Sequence, residues 1–141
     1  MHKHEPRDKQ SRSQEKRTRN QNNKETRPHA HAKYIRLSDT KARIVLETIK
    51  GKGINEARAI LMYSPRYAAE IALKVLNSAV ANAEHNLGMD AENLYVQEVQ
   101  ANKGSSHYSR WRLKPRAKGR ANRIERKFSH VSIYLGEKTA K

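Results

Sequence analysis

Residues 103–128 carry ten lysines and arginines against one acid, Glu125, and interleave them with His107, Tyr108 and Trp111. The chemistry open to such a set is recognition of a polyanion. Guanidinium groups make paired hydrogen bonds to phosphate, and rings set between them stack on bases or riboses. Tyr108, Arg110, Arg112 and Lys114 share one parity, and Ser109, Trp111 and Leu113 share the other. The chain turns near Pro115-Arg116-Ala117-Lys118-Gly119, and Arg120, Asn122, Ile124 and Arg126 form the return. This pattern predicts an extended hairpin. Arms of about ten residues, rising about 3.3 Å each, make a finger on the order of 30 Å long. The finger has no apolar face large enough to order it in water. The candidate nucleic-acid contacts are Lys103, His107, Tyr108, Arg110, Trp111, Arg112, Lys114, Arg116, Lys118, Arg120, Arg123, Arg126 and Lys127.

Other reactive side chains form no comparable set. The two His-x-His pairs, His2/His4 and His29/His31, have a spacing seen in metal sites, but no cysteine or acidic constellation accompanies them, and no metal or cofactor is expected. Glu84-His85 is the one close acid–histidine pair in the body. Adjacent helical residues point about 100° apart, so the two do not converge on one substrate atom, and no enzyme is expected. The absence of cysteine excludes disulfides, zinc ribbons, iron–sulfur clusters and thiol nucleophiles.

The elements that must carry the finger are legible on either side of it. Lys33-Tyr34-Ile35-Arg36-Leu37 alternates as a strand and ends at Ser38-Asp39, a capping pair, after which Ala42, Val45, Leu46 and Ile49 recur at helical spacing. Gly51-Lys52-Gly53 ends that helix. Asn55 is placed as the cap of a second, with Ala57, Ile60 and Leu61 inward, and Ser64-Pro65 as cap and first residue of a third. The third helix carries a stripe of Ala68, Ala72, Val75, Leu76, Ala79, Val80 and Ala83, widened by Ile71 and Leu73, with Gly88 just past its end. Residues 94–99 read as a strand whose parity slips between Val96 and Val99, as at a bulge, and residues 131–135 alternate cleanly. The fold class expected is α+β: a small three-helix plus three-stranded sheet body in the order β-α-α-α-β-β, with the long hairpin inserted before the last strand.

Composition agrees with that division. The chain has 141 residues, a net charge of +16, 35% hydrophobic and 6% aromatic residues, too little apolar material for a large core or a membrane span. The charge is unevenly spread: +5 over residues 1–30, +1 over 31–102, +9 over 103–128 and +1 over 129–141. A nearly neutral body therefore carries two basic appendages. Residues 1–30 are polar and basic and read as a disordered tail, residues 31–137 as a single domain containing the hairpin, and 138–141 as a short C-terminal tail. No apolar leader opens the chain, so an intracellular, soluble protein is expected.

The string Pro115-Arg116-Ala117-Lys118-Gly119-Arg120-Ala121, followed after a basic stretch by His130-Val131-Ser132-Ile133-Tyr134-Leu135, resembles the signature of the large-subunit ribosomal protein family L-twenty-two, bacterial type. The resemblance runs over about 110 residues and takes in Tyr34-Ile35-Arg36, Ser64-Pro65-Arg66-Tyr67-Ala68-Ala69 and Ser78-Ala79-Val80-Ala81-Asn82-Ala83-Glu84-His85-Asn86. It implies a small α+β body seated on large-subunit ribosomal RNA, and a hairpin that helps form the wall of the nascent-peptide exit tunnel. By motif it implies an RNA role for Arg110, Arg112, Arg116, Lys118, Arg120 and Arg123, and a tunnel-facing tip of Arg116, Ala117, Lys118, Gly119 and Arg120. The partners implied are large-subunit ribosomal RNA, neighbouring ribosomal proteins and the nascent polypeptide in transit, with no membrane and a single copy in a cytoplasmic ribosome. Trp111 departs from the family, which usually has a basic or polar residue there, and the tail exceeds the usual bacterial length. The competing reading is an architectural DNA-binding protein with a basic β-ribbon arm and Pro115 at its tip, which would normally need a dimer to present two arms.

Overall fold

The computed structural model describes residues 26–105 and 110–138. Of the expected tail over residues 1–30, residues 1–25 with His2/His4 lie outside the described residues, as do residues 106–109 with His107 and Tyr108 and the terminal 139–141, whereas His29 and Ala30, expected in the tail, belong to the folded body because Ala30 is buried in its core. The chain runs through strand β1 (His29–Ile35), helices α1 (Asp39–Glu47), α2 (Ile54–Tyr63) and α3 (Tyr67–Leu87), and strands β2 (Leu94–Lys103), β3 (Arg110–Pro115), β4 (Ala121–Arg126) and β5 (Ser129–Glu137). β1, β5 and β2 form an antiparallel sheet in that order, and β3 pairs only with β4. The α+β architecture with its inserted hairpin is the one the sequence predicts.

Alanine decides how the body packs. Along α3, Ala68, Ala69, Ala72, Val75, Leu76, Ala79, Val80 and Ala83 are all buried, and their small side chains let the helix lie close against β1 and β5. Leu76, wholly buried, contributes about 2 kcal/mol through the apolar surface it removes from water. α3 stops where the sequence places Gly88. Gly88 takes the left-handed conformation (φ 63°, ψ 28°), its N–H donates to the Glu84 carbonyl at 3.1 Å, and the Met89 N–H reaches back to Ala83 at 3.2 Å. α1 and α2 complete the layer with Ala42, Val45, Leu46, Ile54, Ala57 and Leu61.

The parity slip in β2 is real. Val96 faces Leu135 and Glu98 faces Tyr134, so Gln97 is the extra residue, and the bulge lets Leu94, Val96 and Ala101 all be buried. Beside it the Gly51-Lys52-Gly53 loop covers the edge of β2: the Gly51 N–H donates to the Val96 carbonyl at 2.8 Å and the Val96 N–H to that of Lys52 at 2.9 Å.

Several boundaries differ from expectation: β2 runs on to Lys103, and β5 spans Ser129–Glu137. β1 begins at His29, not Lys33, because the side chain buried under α3 is Ala30. Tyr34, expected within a regular strand, sits at a pairing irregularity between Ala32 and Ile35 with φ 56°. Gly53 rather than Asn55 precedes α2, since Ile54 is already buried as its first residue. Arg66, not Ser64, precedes α3, which leaves Ser64-Pro65 as linker. Ser38 does precede α1, and its carbonyl accepts from the Ala42 N–H at 3.1 Å, while its side chain makes no capping bond.

Candidate nucleic-acid interface

The β3–β4 ladder pairs Arg110 with Arg126, Trp111 with Glu125, Arg112 with Ile124, Leu113 with Arg123, Lys114 with Asn122 and Pro115 with Ala121. Residues directly opposite share a face. One face therefore carries positions 110, 112, 114, 122, 124 and 126; the other carries 111, 113, 115, 121, 123 and 125. The alternation read from the sequence is thus the alternation of the ladder, with the return strand in matching register.

Among the described residues both faces are largely open beyond the hairpin's root. Trp111 is 55% exposed, Leu113 62% and Ile124 46%. Arg112, Lys114, Arg116, Lys118, Arg120, Arg123, Arg126 and Lys127 are all exposed. Arg110 is placed by its backbone register alone. Lys103 has a more local role at the hairpin's root, where its Nζ lies 3.2 Å from Glu125 Oε2. Next to it the Gly104 N–H donates to the Phe128 carbonyl at 2.7 Å, and a side chain at 104 would meet the Phe128 Cβ at 3.0 Å. Glycine is what allows the two arms to leave the sheet this close together.

At the tip the Arg116 N–H donates to the Arg120 carbonyl at 2.7 Å, closing a tight loop over Ala117–Gly119, and the Arg120 N–H donates to Ala117 at 3.3 Å. Lys118 is held left-handed (φ 57°), which costs about 1 kcal/mol for a residue other than glycine and fixes its side chain at the far end of the finger. Arg116, Ala117, Lys118, Gly119 and Arg120 therefore make up one exposed turn. Glu84 and His85 are exposed on α3. Among the described residues no three histidine, cysteine or acidic side chains come together as a metal site, and no helix is long and apolar enough to cross a membrane.

A second cluster, to which the residue pattern alone gives no role, lies on the sheet face away from the helices. His29 and His31 stand two apart on β1 with ring centroids 4.8 Å apart, and each lies 5.7 Å from the Tyr134 ring of β5. The Arg27 guanidinium stacks 5.0 Å from the Tyr134 centroid and pairs with Glu98 of β2 at 3.2 Å. The His31 imidazole is held below its ordinary pKa by desolvation, then by His29 and Lys33. The only sequence signal for this cluster was the His-x-His spacing, because Tyr134 is brought in from the far end of the chain.

The family described as Ribosomal protein L22p/L17e matches residues 30–136. The large ribosomal subunit protein uL22 of Lachnospira eligens is 53% identical over 127 residues, covering 90% of this chain and 96% of that protein. Its counterpart in Agathobacter rectalis is 50% identical over 130 residues, with the same coverage. The match spans the body and the finger alike, from the first buried alanine of β1 to the end of the central strand, and on that ground this chain belongs to the L22p/L17e ribosomal protein family, a structural family and not one of enzymes.

Proposed function

We propose that this protein is a structural constituent of the large ribosomal subunit in the cytoplasm, that it binds and organises large-subunit ribosomal RNA during assembly, and that its hairpin forms part of the nascent-peptide exit tunnel wall. One observation carries the reading: a two-stranded ladder with every described Arg and Lys from 112 to 127 exposed and both faces, among the described residues, largely open beyond the root. Such a ladder needs an external surface to order it, and its charge makes that surface a polyanion. In this reading the domain expected over residues 31–137, with its start moved back to His29, acts as one unit, alone of its kind in the particle and beside neighbouring ribosomal proteins. Arg110, Arg112, Arg116, Lys118, Arg120 and Arg123 contact RNA, Trp111, His107 and Tyr108 stack beside them, and the turn at 116–120 meets the nascent chain.

The test measures affinity for a large-subunit ribosomal RNA fragment and for random duplex DNA across a salt series. Each phosphate contact steepens the log–log salt slope by roughly 0.7 to 0.9. Replacing Arg112, Arg116, Arg120 and Arg123 together by Gln should flatten the slope on the RNA by about three. Equal affinity for duplex DNA would favour an architectural DNA-binding arm instead. Crosslinks from residues 116–120 inside intact ribosomes should reach the nascent chain, and their absence would remove the tunnel assignment.

A further inference from the structure

We infer that the outer face of the three-stranded sheet is a second RNA contact, in which His29, His31 and Arg27 take a backbone phosphate beside the Tyr134 ring and hold it more tightly when the imidazoles are protonated. The inference rests on the proposed RNA role but concerns a different surface from the hairpin. Both histidines lie on one face of β1, at i and i+2, and both are oriented through the same nitrogen. His29 Nδ1 donates to the Arg27 carbonyl at 2.8 Å, and His31 Nδ1 is 2.8 Å from Ser132 Oγ. Each ring is thereby left with Nε2 as the atom available to a ligand, and the rings are close enough for one phosphate to meet both. His29 has its Nδ1–H committed to a carbonyl, so only its protonated imidazole can donate through Nε2–H to a phosphate oxygen, in a charge-assisted bond; protonated His31 adds a second such donor and a second positive charge.

The charges around the pair favour an anion. From β1 comes Lys33, from the segment before it Arg27, and from β5 His130 and Tyr134; β2 supplies Glu98, and α3 supplies the uncharged Asn82, whose amide donates to the His29 carbonyl at 2.9 Å. Among the described residues around the pair Glu98 is the one acid, and it is engaged by Arg27 and by Gln100, whose amide donates to it at 2.7 Å. Desolvation first, and then the charges of His29 and Lys33, lower the His31 pKa; a phosphate would offset those charges, so binding and proton uptake reinforce one another. Two features select RNA over an acidic protein. The rings of His31 and Tyr134 offer stacking surface that a carboxylate does not use. The hairpin also grows from β2 and β5 of this same sheet, so the polymer proposed to hold the finger is anchored next to the cluster.

The experiment uses the full chain and a large-subunit ribosomal RNA fragment at constant ionic strength, with affinity measured from pH 8 to pH 5.5. Wild type should gain about tenfold, the change expected when one proton is fully coupled to binding through a pKa raised by about one unit. His29→Gln with His31→Gln should lose most of the acid gain, read as the ratio of the variant's own affinities at pH 5.5 and pH 8. The four-arginine hairpin variant should bind more weakly at every pH and keep the gain. A double variant with the wild-type gain, or a wild type with none, overturns the inference. A hairpin variant that binds as well as wild type overturns the hairpin reading and leaves this one standing. An equal acid gain on polyglutamate would give the face to an acidic protein instead. If the double variant does not fold, the wild-type histidine resonances decide: the His31 pKa must rise on RNA binding, and an unchanged value overturns the inference.

Discussion

Ser129 is fully buried on the central strand, and its hydroxyl oxygen has no hydrogen-bond partner among the described residues. A buried hydroxyl without a partner costs about 1 to 3 kcal/mol, so Ser129→Ala should raise stability by about 1 kcal/mol in urea denaturation, and a loss of that size would reveal a partner. Gly88 poses the opposite case. A Cβ there meets nothing within 4 Å, but φ is 63°, so Gly88→Ala costs about 1 kcal/mol through the backbone alone and Gly88→Asn costs less. His31 gives the pH dependence. Its folded-state pKa is lowered, so the unfolded chain binds the proton more readily, and stability is fully present above about pH 6.5 and lost as pH falls through the folded value. Wild-type stability should therefore fall on acidification below about 6.5 more steeply than that of His31→Gln, measured as unfolding midpoint against pH.

The alanine stripe of α3 sets the distance between helix and sheet, and that distance can be probed from both sides. Leu76→Ala should cost about 2 to 5 kcal/mol by leaving a cavity. Ala79→Leu, at a residue with no exposed surface, should cost about 1 to 3 kcal/mol by forcing α3 away from the sheet. The bulge makes a sharper contrast. Deleting Gln97 leaves the pairing on either side in register, whereas deleting Gln100 turns Ala101 outward and shifts everything beyond it. Thermal unfolding should show the first deletion clearly less damaging than the second. How much of this the sequence discloses depends on how far apart the cooperating residues lie. The α3 stripe, Gly88 and the bulge were legible because each is written in neighbouring residues. The start of β1 was not, since Ala30 and Ala32 are small and alternate with histidines, so the apolar signal is faint. The hairpin's register followed from its turn and alternation. The cluster of Arg27, His29, His31 and Tyr134 was invisible, because strand pairing across about a hundred residues creates it.

For the molecule as a whole, a net charge of +16 on 141 residues means that the folded state works against its own repulsion. Raising sodium chloride from about 10 mM to about 150 mM shortens the Debye length from about 30 Å to about 8 Å and should raise the melting temperature by a few degrees. A fall would show that ion pairs such as Arg27–Glu98 outweigh the repulsion. The order β1-β5-β2 also has a consequence in time. Within the three-stranded sheet both outer strands pair only with the strand that is made last, although the Gly51–Gly53 loop also bonds β2 at Val96, and His29 meets Tyr134 only after the helices, the finger and the final turn have been synthesised. A growing chain can form α3 early, but it holds two unpaired strand edges until residues 129–137 emerge, and the whole finger is then already outside. The body therefore closes in one late step around a finger already in place, and a chain that stops at Phe128 has every helix and no three-stranded sheet.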